Sequence, residues 1–307
     1  MAYNNPSALA QNFKKIAEKA VGIATAQLVH PGRFKVKVPE GYTYENFNSV
    51  GQPTVWSTIR HFEVARLLGF WKNPLKNEPS FMDIGSHDQM LYIVSLKLSC
   101  EPDLYNLDVE KKPVDTDNEL VYVGNTSFKI RSNLFVSQLK ERMVQQDISL
   151  VVVDRETRRP SLLPTWWVEK YAHYSLPNEG PIKAKYLDFS NWTGKINEHE
   201  FLVRSMDLDA YFHVNNMCFI RYCYEAYIFL YVRQFGYANQ ADAFRNIKDL
   251  ICVFRGEAGL GDLLKVSFVV DPGDEDTCHF QITNDSRIIF QCLFKFFPQR
   301  KKKLSHL

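Results

Sequence analysis

One arrangement of elements, used twice, limits what this chain can fold into: a long apolar helix followed by a run of long strands. After the strand-like RFKVKV at Arg33, apolar spacing predicts a helix over VWSTIRHFEVARLLGFW, Val55 to Trp71. Strands follow at LYIVSLKLSC, ELVYVG, TSFKIRSNLFV and DISLVVVD. From Glu198 the order returns, with HEFLVRS (His199 to Ser205), a helix from about Asn215 to Phe235, and strands at LICVFRG, LLKVSFVV, TCHFQIT and RIIFQCLFKFF. A helix that is apolar around much of its circumference must be covered on several sides, and the strands after it are what can cover it. Each half is therefore expected to be an α+β unit with an antiparallel sheet around one helix. Leu176 to Asn197, containing Pro177, Gly180, Pro181 and Gly194, reads as a linker behind the sheet, with the boundary near Thr193.

Composition agrees with two packed units. The 307 residues are 45% hydrophobic and 23% charged, enough for roughly two domains. Lys and Arg nearly balance Asp and Glu, leaving +2, too little for a general nucleic-acid binder. The six cysteines are scattered without a CxxC pair, and His279 has no ligand-spaced partner, so neither a disulfide framework nor a metal site is expected. Leu9, Phe13, Ile16, Ala20 and Ile23 fall at helical spacing and predict an amphipathic N-terminal helix. The expected segments are thus that helix within 1–29, a first unit over 30–192, a second over 193–299 and a basic tail over 300–307. The start lacks the basic and apolar run of a secretory signal. The most apolar helical stretch, Tyr224 to Val232, is interrupted by Glu225 and falls short of the roughly 20 residues that span a bilayer. The tail ends Ser305, His306, Leu307, which resembles the small-basic-Leu tripeptide read by the peroxisomal import receptor, so the peroxisomal matrix is the expected location and the cytoplasm the alternative.

Chemistry concentrates in MDLDAYFHVNNMCFIRYCYEA, Met206 to Ala226. Asp207, Asp209, His213, Asn215 and Asn216 crowd the turn entering the second helix, where the first backbone N–H groups lack helical partners. Asp209 lies four residues before His213, so a carboxylate and an imidazole can meet beside an oxyanion site. Glu225 lies one helical turn after Arg221 and is expected to pair with it. The glycine-rich GEAGLGD, Gly256 to Asp262, has no Lys-Ser or Lys-Thr after it and reads as a hairpin turn rather than a phosphate loop. Trp166, Trp167 and Tyr171 read as helix packing.

This pattern resembles the hotdog thioesterases, both the 4-hydroxybenzoyl-CoA type and the plant acyl-carrier-protein type. The matching residues are Asp209, then His213-Val214-Asn215-Asn216, then the acid Glu225. The resemblance covers Glu198 to about Pro298, and Val151 to Tyr171 is similar to a hotdog's closing strand and final helix. It implies a tandem of two hotdog units forming a pseudo-dimer, without a cofactor and with further homo-oligomerisation open. The implied activity is hydrolysis of an acyl thioester, acyl-CoA above all, with Asp209 as base or nucleophile, His213 positioning water or Asp209, and N–H groups near Asn215 and Asn216 polarising the carbonyl. Tyr211 and Glu225 are secondary candidates. Phe219, Tyr222 and Tyr227, with Cys223 and Phe229, are candidates for the acyl channel. The pattern departs from the plant type at Tyr211, where that family has Asn, and at Val253, where its catalytic Glu aligns. It departs from many simpler hotdogs at Phe212, where they have Gly. Aligned on Glu63 and Glu225, the first half sets Gly51 against His213, so at most one active site per chain is expected. A non-catalytic acyl-CoA or lipid-binding hotdog is the alternative. A hotdog enoyl-CoA hydratase fits less well, since that pattern places Asp five residues before His with an Asn-Pro between.

Overall fold

A computed structural model describes residues 24–71, 81–85, 89–136, 139, 141–184, 186–209 and 211–298. The first unit contains β1 (Thr25–His30), β2 (Arg33–Val38), α1 (Val55–Trp71), β3 (Gln89–Cys100), β4 (Val114–Val123), β5 (Ser127–Val136), β6 (Val144–Asp154) and α2 (Thr165–Tyr171). The second contains β7 (Asn197–Leu202), α3 (Asn216–Phe235), β8 (Ile247–Phe254), β9 (Leu263–Asp271), β10 (Asp274–Asn284) and β11 (Arg287–Phe296).

The eleven strands among the described residues form one antiparallel sheet in the order β1-β2-β4-β5-β6-β3-β8-β11-β10-β9-β7. The two units meet where β3 pairs with β8, from Ser95 opposite Val253 to Ser99 opposite Asp249. Leu96 and Leu98 of β3 lie against Cys252 and Leu250 of β8, all buried, so the seam continues the core. The Ser99 hydroxyl closes it by donating to Asp249 at 2.7 Å. The two long helices pack on each other as well, with Trp56 of α1 edge-on to Tyr224 of α3. This is the expected tandem hotdog.

The apolar spacing of each helix explains its position. Val55, Ile59, Phe62, Ala65 and Phe70 of α1 are buried, as are Met217, Phe219, Ile220, Cys223, Tyr224 and Tyr227 of α3. Gly69 allows α1 to approach β2, because a Cβ there would lie 1.8 Å from the Phe34 ring. Trp167 of α2 is packed by Phe81, Phe128 and Tyr171 and donates to the Phe81 carbonyl at 3.0 Å, so this aromatic cluster is helix packing as expected. The segment after α2 crosses the outer face of the sheet: Leu176 donates to the Val121 carbonyl, Glu179 pairs with Lys129 and Arg131, and Ile182 donates to the Ser149 hydroxyl.

Two expectations are corrected. Residues 25–28, the end of the expected N-terminal helix, belong to β1, which pairs with β2 from Thr25 opposite Lys37. The alternation in Thr25–His30 is short enough to satisfy either period, and the β2 edge decides it. The rest of that helix, residues 1–23, lies outside the described residues, as does Ser305-His306-Leu307. GEAGLGD is not a hairpin turn. β8 pairs with β3 and β11 while β9 pairs with β10 and β7, so this connection crosses from one part of the sheet to another. No described helix is long and apolar enough to cross a membrane. The six cysteines are all free thiols.

Candidate active site

The turn before α3 is closed by its own backbone. Asp209 donates to the His213 carbonyl at 2.8 Å, and Phe212 donates to that of Asp209 at 3.1 Å. The Asp209 Oδ1 then accepts the N–H groups of Tyr211 at 2.8 Å and His213 at 3.2 Å. A short acidic side chain can bond its own backbone two residues on, which is why Asp suits this position. Phe212 sits at φ +63°, in the left-handed region where many simpler hotdogs are expected to use Gly. Asn215 is the N-cap of α3 and accepts the Met217 N–H at 3.0 Å, so Asn216 is the first helical residue. No described residue accepts a hydrogen bond from the Asn216 N–H or donates one to the second carboxylate oxygen of Asp209.

The turn rests on Asp207. This carboxylate is 4% exposed, accepts the Arg204 N–H at 2.8 Å and pairs with the Arg221 guanidinium, while its carbonyl takes the Asn215 N–H at 2.8 Å. Arg221 also reaches Glu225 at 3.5 Å, the one-turn ion pair read from the sequence. Burial pushes the Glu225 carboxyl up and Arg221 pulls it back.

The carboxylate that meets His213 comes from the crossover. Val214 donates to the Ala258 carbonyl at 2.8 Å, which pins residue 257 beside the ring. Glu257 Oε2 stands 3.4 Å from His213 Nε2, and its Oε1 stands 3.2 Å from Arg158. The position aligned with the plant-type Glu, Val253, is paired within the sheet to Ser95 and Gln291. Sequence reasoning missed Glu257 because its partner strands were misassigned. The available signal was an acid in a Gly-rich connection directly after a buried strand.

The first unit also supplies charge to this turn. Arg155 acts electrostatically on Tyr211, and Arg158 contacts Tyr92 as well as Glu257. Glu63 of α1 lies close enough to Asp209 to feel its charge. Burial pushes the Glu63 carboxyl up, Arg66 and Arg60 lower it, and Asp209 raises it further. Burial also pushes the Asp209 carboxyl above the ordinary carboxylate range, opposed by the Tyr211 and His213 N–H groups and the His213 ring, and reinforced by Glu257.

The channel candidates are packed by aromatic neighbours. Phe219 stacks on Phe290 at 5.4 Å, Tyr222 on Phe201 at 4.9 Å, and Tyr227 lies against Phe296 at 5.1 Å. Phe229 is 49% exposed beside His199 and faces away from the core. Tyr211 is 44% exposed at the rim of the turn.

The first unit repeats the turn, one residue out of the alignment that places Gly51 against His213. The bridge between Phe47 and Pro53 repeats that between Leu208 and Val214. Asn48 donates to the Gln52 carbonyl as Asp209 does to that of His213, and Gly51, at φ +80°, donates to Asn48 as Phe212 does to Asp209. The Asn48 Oδ1 accepts from Val50 and Gln52 as the Asp209 Oδ1 does from Tyr211 and His213. Gly51 therefore stands in place of Phe212, Gln52 in place of His213 and Asn48 in place of Asp209. The same register sets Val64, not Glu63, against Glu225.

The fold is a tandem hotdog, with the Asp209 turn at the start of its second long helix. Residues 191–286 match the family model described as the acyl-ACP thioesterase C-terminal domain, and acyl thioester hydrolysis is the activity that match supports. Among solved structures, the chain is similar to the 12:0-ACP thioesterase from Umbellularia californica (14% identity, TM-score 0.65), covering 87% of this chain and 94% of that one. It is also similar to an acyl-ACP thioesterase from Bacteroides thetaiotaomicron (13% identity, TM-score 0.60), covering 89% and 98%. At these identities the likeness is one of fold. No curated protein matches the chain in sequence.

Proposed function

We propose that the protein hydrolyses acyl-CoA to a carboxylic acid and free CoA, with Asp209 as the base. The observation that carries this reading is the Asp209 turn: one carboxylate oxygen holds the turn, the other has no hydrogen-bond partner among the described residues, and His213 with Glu257 stands beside it at the start of α3. A water placed there gives a proton to the open Asp209 oxygen as its own oxygen attacks the thioester carbon. The carbonyl oxygen, now negative, takes the Asn216 N–H and the positive end of α3. The tetrahedral centre collapses, the C–S bond breaks, and the thiolate leaves with the proton from Asp209. His213, held by Glu257, orients the water. Arg155, Arg158 and Arg159, in the turn after β6, supply the cationic patch that CoA phosphates would meet.

The pH dependence tests the roles. Asp209 must be ionised to act, and its carboxyl lies above the ordinary value of about 3.9, so activity should fall as pH drops through a midpoint above that value. Glu257→Gln removes a charge that holds Asp209 up, so it should move this acid limb to lower pH while reducing kcat about tenfold with little change in KM. An unchanged limb and an unchanged kcat would remove Glu257 from the site.

Location is tested separately. A fluorescent fusion that leaves Ser305-His306-Leu307 free should collect in peroxisomes, and a diffuse cytoplasmic signal would overturn the import reading.

A further inference from the structure

The copied turn in the first unit borders a cavity of about 340 Å³. Its lining joins the two units: Glu45, Asn48 and Trp56 come from the first, and Arg221, Glu225 and Ile228 from α3 of the second. The volume lies near the lower end of small-molecule pockets, roughly 300–1,000 Å³, enough for an apolar chain but not for a whole coenzyme.

The chemistry of the turn differs from its twin at two positions, Asn48 for Asp209 and Gln52 for His213. The Asn48 oxygen is committed to the Val50 and Gln52 N–H groups at 3.1 and 2.9 Å, which fixes its amide orientation. The Nδ2 group is left as a donor at the position where Asp209 presents an acceptor. Gln52 replaces the imidazole, and its own Oε1 is buried without a hydrogen-bond partner among the described residues. The two carboxylates of the lining are engaged elsewhere, Glu225 by Arg221 at 3.5 Å and Glu45 by the Thr43 hydroxyl at 2.7 Å, so the Asn48 donor can hold a carbonyl oxygen while neither acid is held as a base for water. Arg221 in the lining is already met by Asp207 and Glu225, and Glu45 adds negative charge, so the lining disfavours a carboxylate ligand and a neutral carbonyl with an apolar chain fits best.

We infer that the cavity at Asn48 is a second acyl-thioester site that binds without hydrolysing. This rests on the acyl-CoA reading above for the class of ligand. The thioester carbonyl meets Asn48 Nδ2, the acyl chain lies along Trp56 and Ile228, and the CoA portion remains outside the cavity mouth.

The test is binding stoichiometry with 2-oxoalkyl-CoA thioethers, which keep the carbonyl but cannot be hydrolysed, titrated calorimetrically into the full chain. Two sites per chain are expected. Ile228→Trp, which fills the cavity, should leave one. Asn48→Asp keeps the oxygen the turn needs but replaces the donor, and should weaken the second site tenfold or more. Both variants should retain thiol release from acyl-CoA, measured on the same preparations. A single site in the unaltered protein, binding of free fatty acid in place of the ketone, or two sites that persist in both variants would overturn the inference. Hydrolysis with one site would leave the proposed function standing without the second site. Two sites sensitive to Ile228→Trp without hydrolysis would do the reverse.

Discussion

Asp209→Asn should reduce thiol release about 10²- to 10⁴-fold while the protein stays folded, the range expected when a general base is removed. Asparagine keeps an oxygen for the Tyr211 and His213 N–H groups, so the turn is preserved and only the ionisable oxygen is lost. The first unit already contains this substitution in natural form, since Asn48 closes the same turn with the same two bonds. Near-native thermal unfolding with lost activity is the expected pair of results. Retained activity in Asp209→Asn would place the base elsewhere, with Glu63 of α1 the next carboxylate to test.

Asp207→Ala should cost about 3 kcal/mol of stability, seen as a lower urea midpoint with an unchanged slope. The carboxylate is buried and meets both the Arg204 N–H and the Arg221 guanidinium, so truncation strands a cation and a donor together. Glu225 remains near Arg221 and holds the loss toward the low end of the range for a broken buried pair. Activity at low temperature should fall less than in Asp209→Asn, because the Asp207 backbone carbonyl still takes the Asn215 N–H. A loss below about 1 kcal/mol would mean that the Asp207 pair contributes no more than a surface ion pair.

How much was legible in the sequence follows from how local each feature is. Helices α1 and α3 and ten of the eleven strands follow from periodicity, since one buried face dictates both spacing and length. β1 satisfies a helical period in sequence because its few residues gain their identity only from pairing with β2. GEAGLGD shows the same limit: glycine announces a bend, but which strands the bend joins is decided by the sheet. Glu257 was hidden for that reason, since its contact with His213 depends on Val214 pairing with Ala258.

The repeat register differs by one residue from an alignment on Glu63 and Glu225, two acids that the fold does not make equivalent. The backbone makes the caps equivalent instead. Thr54 donates to the Asn46 carbonyl as Asn215 does to that of Asp207, and each immediately precedes its long helix. Cap residues are the firmer anchor in a divergent repeat, since unpaired N–H groups must be met wherever a helix begins.

The most direct test of the account is thiol release by the purified chain from acyl-CoAs of graded length, run beside the same acyl groups on carrier protein. Release from acyl-CoA, greatest over part of the length series and lost in Asp209→Asn, is the predicted result. No release from any acyl-CoA by the folded protein would contradict it. Binding of those acyl-CoAs without release would then identify a lipid-binding hotdog whose Asp209 only closes its turn.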